Sequence, residues 1–269
     1  MSVPPRYELK FLVDHEQRSR FLEAARVGLI PDPHGENAVY RVTSLYFDTP
    51  ALDAYWEKLD GLGIRSKLRL RYYGEPASPS ALADSQACYL EIKRRIYACV
   101  RKDRVRLSAQ GAEAILTDPE RAREIREHVL PSDRDAPLLV EIERRTSVPL
   151  PGTALVTYRR EAWVGEVDPR LRITFDLALR AHQPDAPFGV GPATGLPLLE
   201  TGLCVMEIKF DRVIPIWVRD LVYSCGLRPQ RYSKYAASID ALTTLPGRLR
   251  SNALALEQGP GFPLANSDD

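Results

Sequence analysis

Short runs in which apolar and polar residues alternate recur along the chain, and each reads as a half-buried strand. They cover residues 6–13, 38–47, 64–73, 87–94, 97–107, 138–148, 153–164, 170–180 and 203–211. Between them lie segments with helical start signals. These are 14–28 with Asp14 as N-cap, 50–60 with Thr49 capping and Pro50 first, 109–117 after Ser108, and 119–130 opened by Pro119. Residues 215–225 and 234–244 also read as helices. Residues 74–86 form a Pro/Ser-rich loop, and 183–202 carry four prolines and four glycines, a length that marks a functional or mobile connection. No linker separates domain-sized blocks. One domain over 1–245 is expected, with 246–269 as a flexible tail.

The strands carry charge in register. Residues i and i+2 of a strand share a face, so Glu8 pairs with Lys10, Arg69 with Arg71 and Glu91 with Lys93. Lys102, Arg104 and Arg106 line up, as do Glu141 with Glu143, Tyr158 with Arg160, Arg172 with Asp176 and Glu207 with Lys209. The pattern Glu-apolar-(Lys or Glu) occurs at 8–10, 91–93, 141–143 and 207–209. One such face is ordinarily solvated. Eight of them, rich in Arg and Glu, fit a closed or nearly closed barrel with a charged interior and helices outside. Phe21-Leu22, Leu52/Tyr55/Trp56 and Ile216/Trp217/Leu221 supply apolar surface for that cover. The fold class is therefore α+β, an antiparallel tunnel of about eight strands. Its interior suits a chain of phosphates, with cations for the oxygens and carboxylates for a bridging divalent metal.

Composition narrows the chemistry. The 269 residues are 44% hydrophobic, with 37 basic against 36 acidic side chains, which excludes a disordered polyanion or a basic nucleic-acid arm. Only seven of the basic residues are lysines: Lys10, Lys58, Lys67, Lys93, Lys102, Lys209 and Lys234. No signal region or spanning apolar stretch is present, so a cytoplasmic chain without an intrinsic membrane segment is expected. Cys88, Cys99, Cys204 and Cys225 are scattered and read as small apolar residues rather than zinc ligands or disulfides. A nucleic-acid partner would need a clustered basic surface with exposed aromatics, which the sequence lacks.

Seven motifs then occur in order: Tyr7–Val13, Ser44–Thr49, Leu68–Gly74, Tyr89–Lys93, Val156–Ala162, Met206–Lys209 and Arg231–Tyr235. Together they resemble the catalytic domain of the vacuolar transporter chaperone (VTC) family, polyphosphate polymerases within the triphosphate tunnel metalloenzymes, over about residues 6–241. The resemblance implies transfer of the terminal phosphoryl of ATP to a polyphosphate chain with Mn2+ or Mg2+. It implies that Lys10, Arg69, Arg71, Lys93, Lys102 and Arg160 hold phosphate oxygens, with Tyr158 beside them. Arg104, Lys209 and Arg231 extend that lining, and Glu207 holds the metal. Ser233 and Lys234 complete the site, and Lys234, Arg160 and Lys93 are the expected catalytic set.

Two departures matter. Arg231 stands where eukaryotic relatives usually have lysine, and Arg6 stands where hydrolase and cyclase branches have the first glutamate of E-x-E-x-K. Glu8, Glu91, Glu141 and Glu143 either add metal contacts or balance the arginines. His15, His34, His128 and His182 fall on helices or loops, which disfavours a phosphohistidine route, and no P-loop is present. A tunnel triphosphatase and a non-enzymatic polyphosphate-binding module remain as alternatives; protein partners are not legible.

Overall fold

The protein is described from a computed structural model over residues 6–34, 37–74, 88–118, 124–134, 136–186 and 194–243. The proposed loop at 74–86, apart from Gly74, residues 187–193 of the connection at 183–202, and the tail beyond 243 lie outside these residues.

Eight antiparallel strands close into an uneven ring: β1 (Arg6–Val13), β3 (Val39–Phe47), β4 (Ile64–Tyr73), β5 (Cys88–Ile96), β6 (Cys99–Arg106), β7 (Gly152–Gly165), β8 (Arg172–His182) and β10 (Cys204–Asp211). Around the ring the order is β7-β3-β4-β5-β6-β1-β10-β8, and β8 pairs back onto β7. Two short strands, β2 (Leu29–Pro31) on β7 and β9 (Leu196–Pro197) on β8, add to its edges. The seam is weak at β1/β6, where only Arg6 and Tyr7 find partners in Val100 and Cys99.

Alternation sorts the side chains as read from sequence. Leu68, Leu70, Leu90, Ile92 and Val105 point outward into one core with Ala112 and Ile115 of α3 (Ala109–Thr117), Ile125 of α4 (Ile125–His128) and Leu138, Leu139 and Ile142 of α5 (Pro137–Thr146). Phe11, Met206, Ile208, Ile173 and Phe175 pack under Phe21 and Ala25 of α1 (His15–Ala25) and Val218 of α6 (Ile216–Ser224). Asp14 caps α1 in a capping box with Gln17.

Several expectations are corrected. Residues 138–148 are no strand. Pro137 opens α5, and its buried positions Leu138, Leu139, Ile142 and Thr146 follow a helical face. The alternation of Val140-Glu141-Ile142-Glu143 mimicked a strand, yet Val140 is exposed. Glu141 consequently binds Arg94 and Arg145, and Glu143 binds Arg126, all outside the ring. Helix α2 (Asp53–Leu59) starts later than Pro50, because Asp48 receives the Ala54 and Tyr55 N–H groups at 3.0 and 3.1 Å. His182 ends strand β8, buried against Thr157. Ile216 is exposed and Trp217 only partly covered; Val218 and Leu221 supply the packing of α6.

The last helix, α7 (Lys234–Leu242), departs most from an outer cover. Tyr235, Ala236 and Ile239 join Val42, Tyr46, Val156, Tyr158 and Val205, which lie on the same strand faces as the charged residues. Helix α7 therefore sits against the inner wall, with α2 packed beside it. Cys88, Cys204 and Cys225 are buried, and burial pushes the first two thiols up to about 12. Among the described residues no helix is long and apolar enough to cross a membrane.

Candidate functional site

Strand pairing brings the inner charges face to face. The register sets Lys10 opposite Glu207 and Glu8 opposite Lys209 on β1/β10, Arg160 opposite Asp176 on β7/β8, and Arg69 opposite Glu91 on β4/β5. The floor is a dense set of buried ion pairs. Arg69 donates Nε and Nη2 to Glu91 at 3.0 and 2.8 Å, and Arg71 reaches Ser44 Oγ at 3.1 Å and Tyr158 OH at 3.2 Å. Arg160 forks onto Asp176 at 2.6 and 2.8 Å, and its Nη2 lies 3.4 Å from the same Tyr158 hydroxyl. Tyr158 thus bridges the two arginines.

The α7 N-terminus points into this floor. Ser233 caps the helix through Ala236 N–H. The next side chain, Lys234, reaches Asp176 Oδ2 at 2.6 Å and Glu207 Oε1 at 2.9 Å. Glu207 is also approached by Lys209, by Lys10 at 3.4 Å and by Arg160 at 3.7 Å. Burial alone would raise its carboxyl, but Lys209, Lys234, Lys10 and Arg160 hold it well below the carboxylate range. Glu91 and Glu8 are likewise held down against burial, the first by Arg69, Arg71 and Lys102, the second chiefly by Lys93. Lys93 bridges to Glu8 at 3.0 Å across the weak seam, and burial lowers its ammonium to about 7 despite that carboxylate. Lys234 goes the other way: burial would lower it, and Asp176 and Glu207 raise it.

Every sequence-predicted site residue can be located. Lys10, Arg69, Arg71, Lys93, Tyr158, Arg160, Glu207, Lys209, Ser233 and Lys234 converge through the contacts above, and Lys10 donates to Tyr232 O at 3.1 Å. Lys102 joins from a more exposed position, 3.0 Å from Glu91. Arg104 and Arg231 are exposed at the margins, the former 4.2 Å over the Tyr89 ring. Sequence reasoning missed Asp176 and Lys67 as site members. Asp176 becomes visible only through the β7/β8 register, whereas Lys67 had a signal: it precedes Arg69 by two residues on the same face.

Among the described residues no three His, Cys, Asp or Glu side chains form a metal cluster. Glu207 and Glu8, both 3.4 Å from Lys10 Nζ, are carboxylates of the kind that, one or two at a time, hold Mg2+ together with substrate phosphates. That donor chemistry fits a divalent metal shared with a phosphate ligand better than one held by protein groups alone.

The fold and the site together define an antiparallel tunnel with a buried, acid-braced basic interior. A family model described as the VTC domain matches residues 5–243, and the chain belongs to that family. A search of curated proteins gave no match. Among solved structures, a Hippeastrum protein described as an adenylyl cyclase with a dominant triphosphatase activity is similar at 16% identity and a TM-score of 0.51. The alignment covers 91% of this chain and 98% of that one. A Vibrio parahaemolyticus protein described as an adenylate cyclase aligns at 12% identity, covering 88% and 98%, with a TM-score of 0.46.

Proposed function

We propose that this chain is a polyphosphate polymerase, moving the terminal phosphoryl group of ATP onto a polyphosphate chain. The observation that carries the reading is the convergence of Arg69, Arg71, Arg160, Lys10 and Lys234 on one interior at the N-terminus of α7. Aligned N–H groups and fixed cations suit the equatorial oxygens of a transferring phosphoryl group, whose loose transition state needs positioning and charge more than a protein nucleophile.

In this mechanism Lys234, locked between Asp176 and Glu207, stays protonated and faces the reacting phosphate. Arg160 is held by Asp176 and presents its remaining N–H groups beside Tyr158. Arg69 and Arg71, braced by Glu91, hold the donor oxygens, and Lys93 contributes from the seam. Glu207, with Glu8 nearby, would hold Mn2+ or Mg2+, which when bound neutralises phosphate charge. The acceptor phosphate oxygen attacks the terminal phosphorus of ATP in line, the bond from that phosphorus to the bridging oxygen breaks, and ADP leaves.

The alternative acceptor is water. The activity described for the Hippeastrum protein favours that second reading. Arg6 weighs against it: its guanidinium donates to Arg170 O at the surface and supplies no carboxylate. Incubation of the purified protein with ATP and Mn2+, with products resolved by gel, separates the outcomes. Long chains are expected; free phosphate alone means a hydrolase, and no product means a binder. Glu207→Gln should cut product formation by roughly 10²–10³-fold, and full activity in that variant would remove Glu207 from the mechanism.

A further inference from the structure

One hydroxyl in the site is not used by the transfer described above. Ser233 is half-buried at the start of α7, and its backbone is extended as an N-cap requires. Its Oγ accepts the Ala236 N–H at 3.3 Å and lies 2.9 Å from Nζ of Lys67 on β4. A serine hydroxyl within hydrogen-bond reach of a base has the geometry of an activated nucleophile, and lysine serves as that base in Ser-Lys pairs.

Lys67 is placed to act as one. The register sets it opposite Lys93, whose own partner is Glu8. Lys67 also meets the Tyr235 ring at 4.7 Å, but among the described residues no carboxylate lies within ion-pair distance of it. A partly buried lysine without a counter-ion holds its proton weakly. Burial lowers this ammonium well below the ordinary lysine range, and Lys58 of α2, Lys10 of β1, Arg65 and Lys93 push it the same way. As an ammonium Lys67 donates to Ser233; as a free amine it accepts the hydroxyl proton across the same 2.9 Å. Lys234, the next residue in the chain, behaves oppositely: tied to Asp176 and Glu207, it keeps its charge.

We propose that Ser233 is a covalent phosphoryl acceptor, through which the protein phosphorylates itself from ATP when no polyphosphate chain is present. Ser233 Oγ attacks the terminal phosphorus of ATP, and its proton passes to Lys67 Nζ. The bond from that phosphorus to the bridging oxygen breaks, and ADP leaves. The phosphoserine sits at the N-terminus of α7 beside the new Lys67 ammonium, where its charge is stabilised. Its oxygens then serve as the first acceptor for a growing chain. The inference rests on ATP as the donor in the proposed function, but it assigns the first acceptor and not the later ones.

The test incubates the purified full chain with ATP and Mn2+ without polyphosphate, quenches in acid and maps the peptides by mass spectrometry. Parallel samples carry the label on the terminal or on the α-phosphorus. One acid-stable phosphoryl group from the terminal position is expected on Ser233, with the α-label left in solution. Ser233→Asn keeps a helix cap and should lose the label. Lys67→Arg keeps a cation beside Oγ but gives up the base, and labelling should slow by about 10²-fold or more. An unlabelled Ser233, α-label on the protein, label retained in Ser233→Asn, or an unchanged rate in Lys67→Arg would overturn the proposal. The gel of soluble products fails separately. A hydrolase makes no long chains yet still carries the Ser233 label, whereas long chains with an unlabelled Ser233 remove this acceptor and leave the polymerase.

Discussion

Lys93 shows what burial does to a single cation here. Its folded state releases the proton near pH 7, while an unfolded chain keeps it to the ordinary lysine range. Between those limits the unfolded state binds more protons, so this group's effect on stability becomes less unfavourable as pH rises from about 7 toward 10. A bound polyanion reverses the balance by restoring the charged form. Tripolyphosphate binding at about pH 8 should therefore take up close to one proton more in the native protein than in Lys93→Arg, whose guanidinium is charged throughout. Calorimetry in two buffers of unlike ionisation enthalpy measures the difference; equal uptake would mean that Lys93 does not meet the ligand. Such residues were legible because lysine is sparse in this chain and falls on motif faces. Asp176 was not, because its role comes from standing opposite Arg160, and register is a property of two strands.

At the scale of elements, most strands were readable from alternation, since one buried face imposes a period of two. The exception, α5, had only four alternating residues, and the apolar pattern across Pro137–Thr146 was the better guide. The seat of α7 was not legible at all: its apolar stripe fits an inner wall or an outer one equally well. What fixes it is Asp48. This buried carboxylate accepts the α2 N-terminal N–H groups and the Tyr235 hydroxyl, joining β3, α2 and α7 at one point. Asp48→Ala removes a helix cap and strands a buried hydroxyl, so it should cost about 2–4 kcal/mol in denaturant unfolding. It should also weaken tripolyphosphate binding, because Lys234 rides on the same helix. A loss below about 0.5 kcal/mol would show that α7 is held by its apolar contacts alone.

For the whole molecule, the near-zero net charge of +1 conceals a separation: basic side chains outnumber carboxylates inside the ring, and the balance lies elsewhere. Among the described residues Lys10, Arg69, Arg71, Lys93, Lys102, Arg160, Lys209 and Lys234 share Glu8, Glu91, Asp176 and Glu207, and Lys67 adds a further basic side chain that bonds Ser233 instead. An interior with this excess of cations is predicted to be completed by a multivalent anion. Thermal unfolding with tripolyphosphate and with monophosphate at equal concentration tests it most directly. Tripolyphosphate at a hundredfold over its dissociation constant should raise the melting temperature by roughly 5–10 °C, and monophosphate by no more than about 2 °C. Equal shifts from the two anions would contradict it, reducing the charged interior to a salt-sensitive surface.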